Sequence, residues 1–214
     1  MVPMHVLILG ATGRTGSLAM DGALKAGHEA TVLVRQAGRL EPRRGLSVVV
    51  GDVRDEMAIR AALRDVDAVI AALGPRSNTR AEEDSLALGM HNLTVAMEDG
   101  GVDRLVTMSG AGVDVPGDRK PVLDRIMSGA VRRFARHVLY AKQREFEIFS
   151  ASALDWTALR PPIVIGGSAR GYRLDLSLRP GARVTRADVA QALIDQVADR
   201  RFIRAAPFVL PAGS

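Results

Sequence analysis

The chain contains no cysteine. Disulfides, thiolate nucleophiles and cysteine metal sites are therefore excluded, and a reducing, intracellular compartment is the default expectation. Aromatic residues make up only 4% of the sequence. Lysine is equally scarce: Lys25, Lys120 and Lys142 are the only three, so the formal charge of +5 rests on arginine. The densest basic stretch, Arg119 to Arg136, holds one aromatic, Phe134, and lacks the interleaved rings of a nucleic-acid surface. It reads as a solvated face, and no nucleic-acid partner is expected. His5, His28, His91 and His137 are scattered without ligand spacing, so no metal is expected either. No apolar run approaches the roughly 18 residues of a membrane span, and Met1 to Met4 carry no basic leader. The expectation is a cytoplasmic protein without membrane association.

Hydrophobic residues make up 47% of the 214 positions and charged residues 25%, a globular balance. Neither an internal repeat nor a linker divides the chain, which reads as a single domain over 1–214. Its organising stretch is Met4 to Ser17, where an apolar strand runs into Gly10, Gly13 and Gly16 and then into a helix. Such a turn needs a residue free of a Cβ clash, and a diphosphate needs close backbone approach at a helix N-terminus. Gly10 is expected to make the turn, Gly13 to admit the diphosphate and Gly16 to let the helix pack closely.

Downstream, apolar periodicity predicts a helix over 14–26, a strand over 30–34 and a third strand over 46–50. The second strand ends at Arg35, where an acidic residue would accept a ribose 2′-hydroxyl and an arginine instead favours a 2′-phosphate. Arg39 lies four residues on and is placed to join it. Asp52 follows the third strand, with its carboxylate available to an adenine amine, although Asp52 or Asp55 could equally cap the next helix. That helix is expected over 55–64, a strand over 68–73, a helix over 82–99 and a strand over 104–108 that delivers Ser109 into a glycine-containing loop. A long helical stretch over 122–151, broken near Gly129, carries Lys142 on the same face as Leu139, Phe146 and Phe149. It points either into a cleft or past the rings to solvent. A sixth strand covers 155–159, a short one 172–176, a final helix starts near Thr185, and a last strand falls within 202–210. Loops at 110–121 and 161–180 are expected to build the substrate side.

Taken with Leu73-Gly74 and Arg160-Pro161-Pro162, the motifs G-A-T-G-R-T-G, T-V-L-V-R and V-V-V-G-D-V resemble the atypical short-chain dehydrogenase/reductases of the NAD(P)H-binding or NmrA-like type. Within them the chain is most similar to the flavin reductase/biliverdin reductase B group. The resemblance spans essentially the whole chain. It implies a Rossmann-type α/β fold, a doubly wound, mostly parallel sheet with helices on both faces, with NADP(H) as cofactor. It also implies a small-molecule acceptor such as a flavin or quinone. Matched by position, Gly10, Thr12, Gly13, Arg14, Thr15 and Gly16 form the phosphate loop. Arg35 and Arg39 meet the 2′-phosphate, Asp52 and Val53 the adenine, and Leu73 and Gly74 the ribose. Ser109 and the Pro161, Pro162, Ile163 loop fall beside the nicotinamide, and Ser109 and Lys142 are the candidate catalytic pair.

One departure narrows the chemistry. Carbonyl reduction in the wider superfamily uses a tyrosine four residues before the helical lysine as proton donor. Val138 occupies that position here, and Tyr140, two residues from Lys142, points to roughly the opposite side of the helix. A planar acceptor that delocalises charge makes a smaller demand. Two alternatives stay open: a non-catalytic NADP-binding sensor or assembly protein, and a sugar-nucleotide or carbonyl-modifying enzyme.

Overall fold

The fold is taken from a computed structural model, which describes residues 2–36, 38, 40–118, 136–179 and 181–213. Strands β1 (His5–Leu9), β2 (Glu29–Val34), β3 (Leu46–Val50), β4 (Ala68–Ala71), β5 (Arg104–Met108) and β6 (Asp155–Leu159) form one six-stranded sheet. Its order is β3-β2-β1-β4-β5-β6 and every pairing is parallel, so the chain winds outward in both directions from β1 and β4. This is the doubly wound Rossmann arrangement. The inner strands β1 and β4 read as unbroken apolar runs because both of their faces are covered.

Alternation along β1 shows the two layers. Leu7 and Leu9 join a core with α2 (Glu56–Ala62), α3 (Arg80–Gly100) and α4 (Arg136–Ser150), through Ile59, Met90, Met97, Phe146 and Phe149. Val6 and Ile8 face the other way, onto α1 (Gly16–Lys25) and α5 (Arg186–Ala198), through Met20, Ala23, Leu193 and Ile194. Phe146, Phe149 and Trp156 meet edge to face, with centroids 5.4 to 5.8 Å apart. No helix among the described residues is long and apolar enough to cross a membrane.

Helix starts follow side-chain chemistry. Asp55, not Asp52, caps α2, accepting from the N–H groups of Met57 and Ala58. Thr79 caps α3 and Thr185 caps α5. Buried Asp188 also holds the Arg170 and Gly171 N–H groups at 2.9 to 3.2 Å, which ties that turn to α5.

The region after β6 is more ordered than a loop-built reading expects. β7 (Ile163–Ile165) pairs with β9 (Arg183–Thr185), and β8 (Tyr172–Asp175) pairs antiparallel with β10 (Phe208–Pro211). The last strand covers only Phe208–Pro211, starting late in the 202–210 span and ending one residue past it. A turn with Arg204 at φ 52° takes up the residues before it. The expected helix over 122–151 is seen from Arg136, and its break near Gly129 lies outside the described residues.

Arg160 bolts this region down. Its guanidinium is buried, pairs with both Asp118 oxygens at 2.6 and 2.8 Å, donates to the Ala206 carbonyl at 2.7 Å and lies 4.0 Å over the Phe208 ring. Removing one partner of a buried ion pair strands the other charge. Arg160→Met is therefore expected to lower stability by about 3 kcal/mol or more in urea unfolding. Arg201→Ala, which breaks an exposed pair with Asp199, is expected to leave the midpoint unchanged.

Candidate functional site

The C-terminal ends of β1 to β4 open onto a cleft of about 340 Å³. Its wall brings together Gly10, Thr12, Gly13, Arg35, Asp52, Val53, Leu73 and Gly74 from four separate strand ends. Leu33, Val34, Gly51, Ala72, Arg76, Glu82, Ser85 and Leu86 complete it. The four residues from 76 to 86 escaped the sequence reading, which placed this helix start two residues later and saw only its core face. The signal was Gly74-Pro75, which ends the β4 run and turns the following segment back across the strand ends.

The turn after β1 is built from backbone contacts. Gly10 takes φ +82°, and a Cβ there would lie 2.5 Å from the Ala72 carbonyl oxygen. A Cβ on Gly16 would collide with the Gly10 carbonyl oxygen, so α1 starts directly on the turn. The Gly13 N–H donates to the Gly10 carbonyl at 2.8 Å and closes the loop. Thr15 at the N-cap makes no side-chain capping bond, and the first turn of α1 holds no acidic residue. α2, α3 and α5 each have both. The first turn of α1 thus lacks both the side-chain cap and the acidic residue that the other starts have, and it lies at a cradle that only glycine permits.

Charge is arranged around the other end of the cleft. Arg35 is exposed at the end of β2 and is in salt-bridge contact with no carboxylate among the described residues. Asp52 accepts from the Arg54 guanidinium at 2.8 and 3.0 Å and from the Arg54 N–H at 3.0 Å. These bonds hold its carboxyl below the usual range. Glu82 is engaged in the same way by the Arg76 N–H and guanidinium, and its carboxyl is likewise lowered. Arg39 lies outside the described residues.

Ser109 and Lys142 do not line this cleft but stand at the adjoining strand ends. The Ser109 N–H donates to the Leu159 carbonyl at 2.8 Å, and its hydroxyl is buried without a partner among the described residues. Lys142 is mostly buried and turned to backbone carbonyls. Its ammonium donates to the Leu73 carbonyl at 2.6 Å and the Met108 carbonyl at 3.0 Å and pairs with Glu145 at 2.7 Å. Its three protons are thereby spoken for. Glu145 is buried, and that burial raises its carboxyl above the usual range despite the Lys142 charge. Pro161 is buried, Pro162 half-buried, and Ile163 opens β7. Of the two tyrosines, Tyr140 is half exposed. The Tyr172 hydroxyl donates to Asp195 at 2.6 Å, and burial followed by that bond pushes its pKa up.

The model of the family described as NAD(P)H-binding matches residues 10–200. The chain belongs to that family. Its fold is shared with a short-chain dehydrogenase/reductase of Veillonella parvula, also solved in complex with NADP (TM-score 0.81, 19% identity, 99% of this chain and 96% of that one). The anaerobilin reductase ChuY of Escherichia coli O157:H7 is similar too (TM-score 0.81, 19% identity, 98% of each chain). In sequence, eugenol synthase 1 of Petunia hybrida is 32% identical over 79 residues, which is 32% of this chain. The chain spans 26% of the length of that curated relative. Phenylcoumaran benzylic ether reductase Pyrc5 of Pyrus communis is 32% identical over 80 residues, 33% of this chain and 26% of its own.

The glycine contacts give this NAD(P)H-binding chain a direct check. Gly16→Ala is expected to cost about 1–3 kcal/mol of stability through forced backbone displacement, and to weaken NADP binding at least tenfold by calorimetry. Gly100→Ala, where a Cβ meets nothing within 4 Å, is expected to leave both unchanged.

Proposed function

We propose that the protein is an NADPH-dependent oxidoreductase that passes hydride to a flavin, quinone or similar planar small molecule. The observation that carries the reading is the α1 N-terminus, without a side-chain cap, over a glycine cradle, in one cleft with an Arg35 that forms no salt bridge among the described residues. NADPH, when bound, supplies the hydride.

The chain's own residues do the holding. Gly10 and Gly13 shape the turn so that the diphosphate can approach the backbone, and Thr12, Arg14, Thr15 and Gly16 line the loop that receives it. Arg35, with Arg39, meets the 2′-phosphate, and Asp52 and Val53 receive the adenine. Leu73 and Gly74 flank the ribose, while Ser109, Pro161, Pro162 and Ile163 border the nicotinamide. The Ser109 hydroxyl, buried without a partner among the described residues, would hydrogen-bond a ligand there. Lys142 acts by position: it fixes the Leu73 and Met108 carbonyls, and with them the backbone on either side of the ring.

The acceptor class follows from the missing proton donor. Tyr172 is committed to Asp195, and Tyr140 stands two residues from Lys142 on an exposed face. An acceptor that delocalises charge and takes its proton from solvent needs neither, so the work is orientation. The reductases among the relatives support this class of chemistry. The cysteine-free composition supports a cytoplasmic setting.

Purified protein with NADPH is expected to accelerate reduction of at least one member of a panel of free flavins, quinones and biliverdin, followed by absorbance loss. No acceleration over buffer with any of them would overturn the proposal. Arg35→Ala is expected to weaken NADP far more than NAD, by roughly tenfold or more for a lost charge-assisted contact. Equal losses would remove Arg35 from 2′-phosphate recognition. Ser109→Ala is expected to lower turnover about tenfold, the size of one lost hydrogen bond, while Tyr140→Phe and Tyr172→Phe retain it.

A further inference from the structure

The cleft wall places two carboxylates, Asp52 and Glu82, in one cavity with Arg35. A carboxylate free to swing there would do two things against a phosphorylated ribose. It would pair with Arg35, and it would repel the phosphate. Neither carboxylate is free. Asp52 is held by two guanidinium nitrogens and the backbone N–H of Arg54, and Glu82 by the guanidinium and backbone N–H of Arg76.

Arg54 and Arg76 differ in where they stand. Arg76 is itself part of the cleft wall, whereas Arg54 is not and remains about half exposed behind Asp52. Its two-residue spacing from Asp52 closes a small ring of backbone and side-chain bonds, a geometry that a lysine, with no planar fork, cannot reproduce. The arrangement leaves Arg35 as the cation in the wall that no carboxylate engages among the described residues.

We propose that Arg54 is a specificity-determining residue of the cofactor site: by holding Asp52 in a bidentate pair from outside the cleft, it keeps that carboxylate from engaging Arg35 or repelling a 2′-phosphate. The inference rests on the reading that Arg35 recognises the 2′-phosphate. It adds that the preference for NADP over NAD is set as much by the sequestering of acid as by the presence of base. The field on Asp52 agrees with this proximity, since Arg54 first and Arg35 more weakly both favour its ionised form.

The test is a cycle of variants titrated with NADP⁺ and NAD⁺ by calorimetry, with no acceptor present. The readout is the ratio of the two dissociation constants, in which any loss common to both nucleotides cancels. Arg54→Ala is expected to lower the preference for NADP⁺ about three- to tenfold, the size of one partly exposed charge at close range. The double variant Asp52→Asn with Arg54→Ala is expected to recover the wild-type ratio, because the liberated carboxylate is gone. An unchanged ratio in Arg54→Ala, or a double variant as unselective as Arg54→Ala, overturns the proposal. Arg35→Ala separates the two levels. If it lowers the ratio while Arg54→Ala does not, only the sequestering role fails. If Arg35→Ala leaves the ratio untouched, the 2′-phosphate reading fails and takes this one with it.

Discussion

The site depends on one contact between two pieces of backbone. Because Gly16 has no side chain, the first turn of α1 rests against the Gly10 carbonyl, and because Gly10 has none, that turn rests against Ala72 beyond β4. The helix is thus seated against the seam between β1 and β4, the point where the sheet's winding changes direction. Its N-terminus then stands at the crevice between diverging connections, where a doubly wound sheet has room for a ligand. Every other part of the cleft wall is a strand end or helix start that this seating leaves open.

Around that seam, buried charges serve as fasteners. Arg104 closes the C-terminus of α5 through the carbonyls of Gln196, Val197 and Asp199, and burial pulls its pKa down to about 10, so it stays charged near neutral pH. Arg160 joins the segment after Ser109 to β10. Lys142 joins α4 to the ends of β4 and β5, with Glu145 as its buried counter-ion. In each case a cation on one element satisfies carbonyl or carboxylate oxygens on others, so burial of the charge is offset by several hydrogen bonds. The frame around the cleft is therefore stiff, while the charges inside it, on Arg35, Asp52, Arg76 and Glu82, remain within reach of a ligand.

The readable parts of the sequence were those with local causes. Strands such as β1 and β4 announce themselves as apolar runs because both faces are covered, and Thr185 marks the start of its helix by capping chemistry. Gly10, Gly13 and Arg35 stood in order along the chain, and they line one wall. The unread parts depend on distant partners. Lys142 could be assigned to an apolar face, but its acceptors lie 69 and 34 residues away, and nothing near it names them. β7 and β9 are three-residue ladders with partners twenty positions apart, such as Ile163 with Arg183, too short to leave a period. Asp52 was readable as a carboxylate at a strand end; that Arg54 would fold back on it depended on the bend of that turn.

The chain order of the cleft also bears on how the protein is made. Its wall is drawn entirely from residues 10 to 86, whereas α5, which lies on the α1 face of the sheet over β4, β5 and β6, begins at Arg186. A ribosome must therefore add a hundred residues (186 − 86) between completing the wall and delivering that cover. At typical elongation rates this is on the order of ten seconds. For that interval Ile70 and Val106, on strands that α5 covers, are without that helix. The nucleotide wall is early and local, the seal beneath it late and distant, and the nascent chain must stay soluble in between.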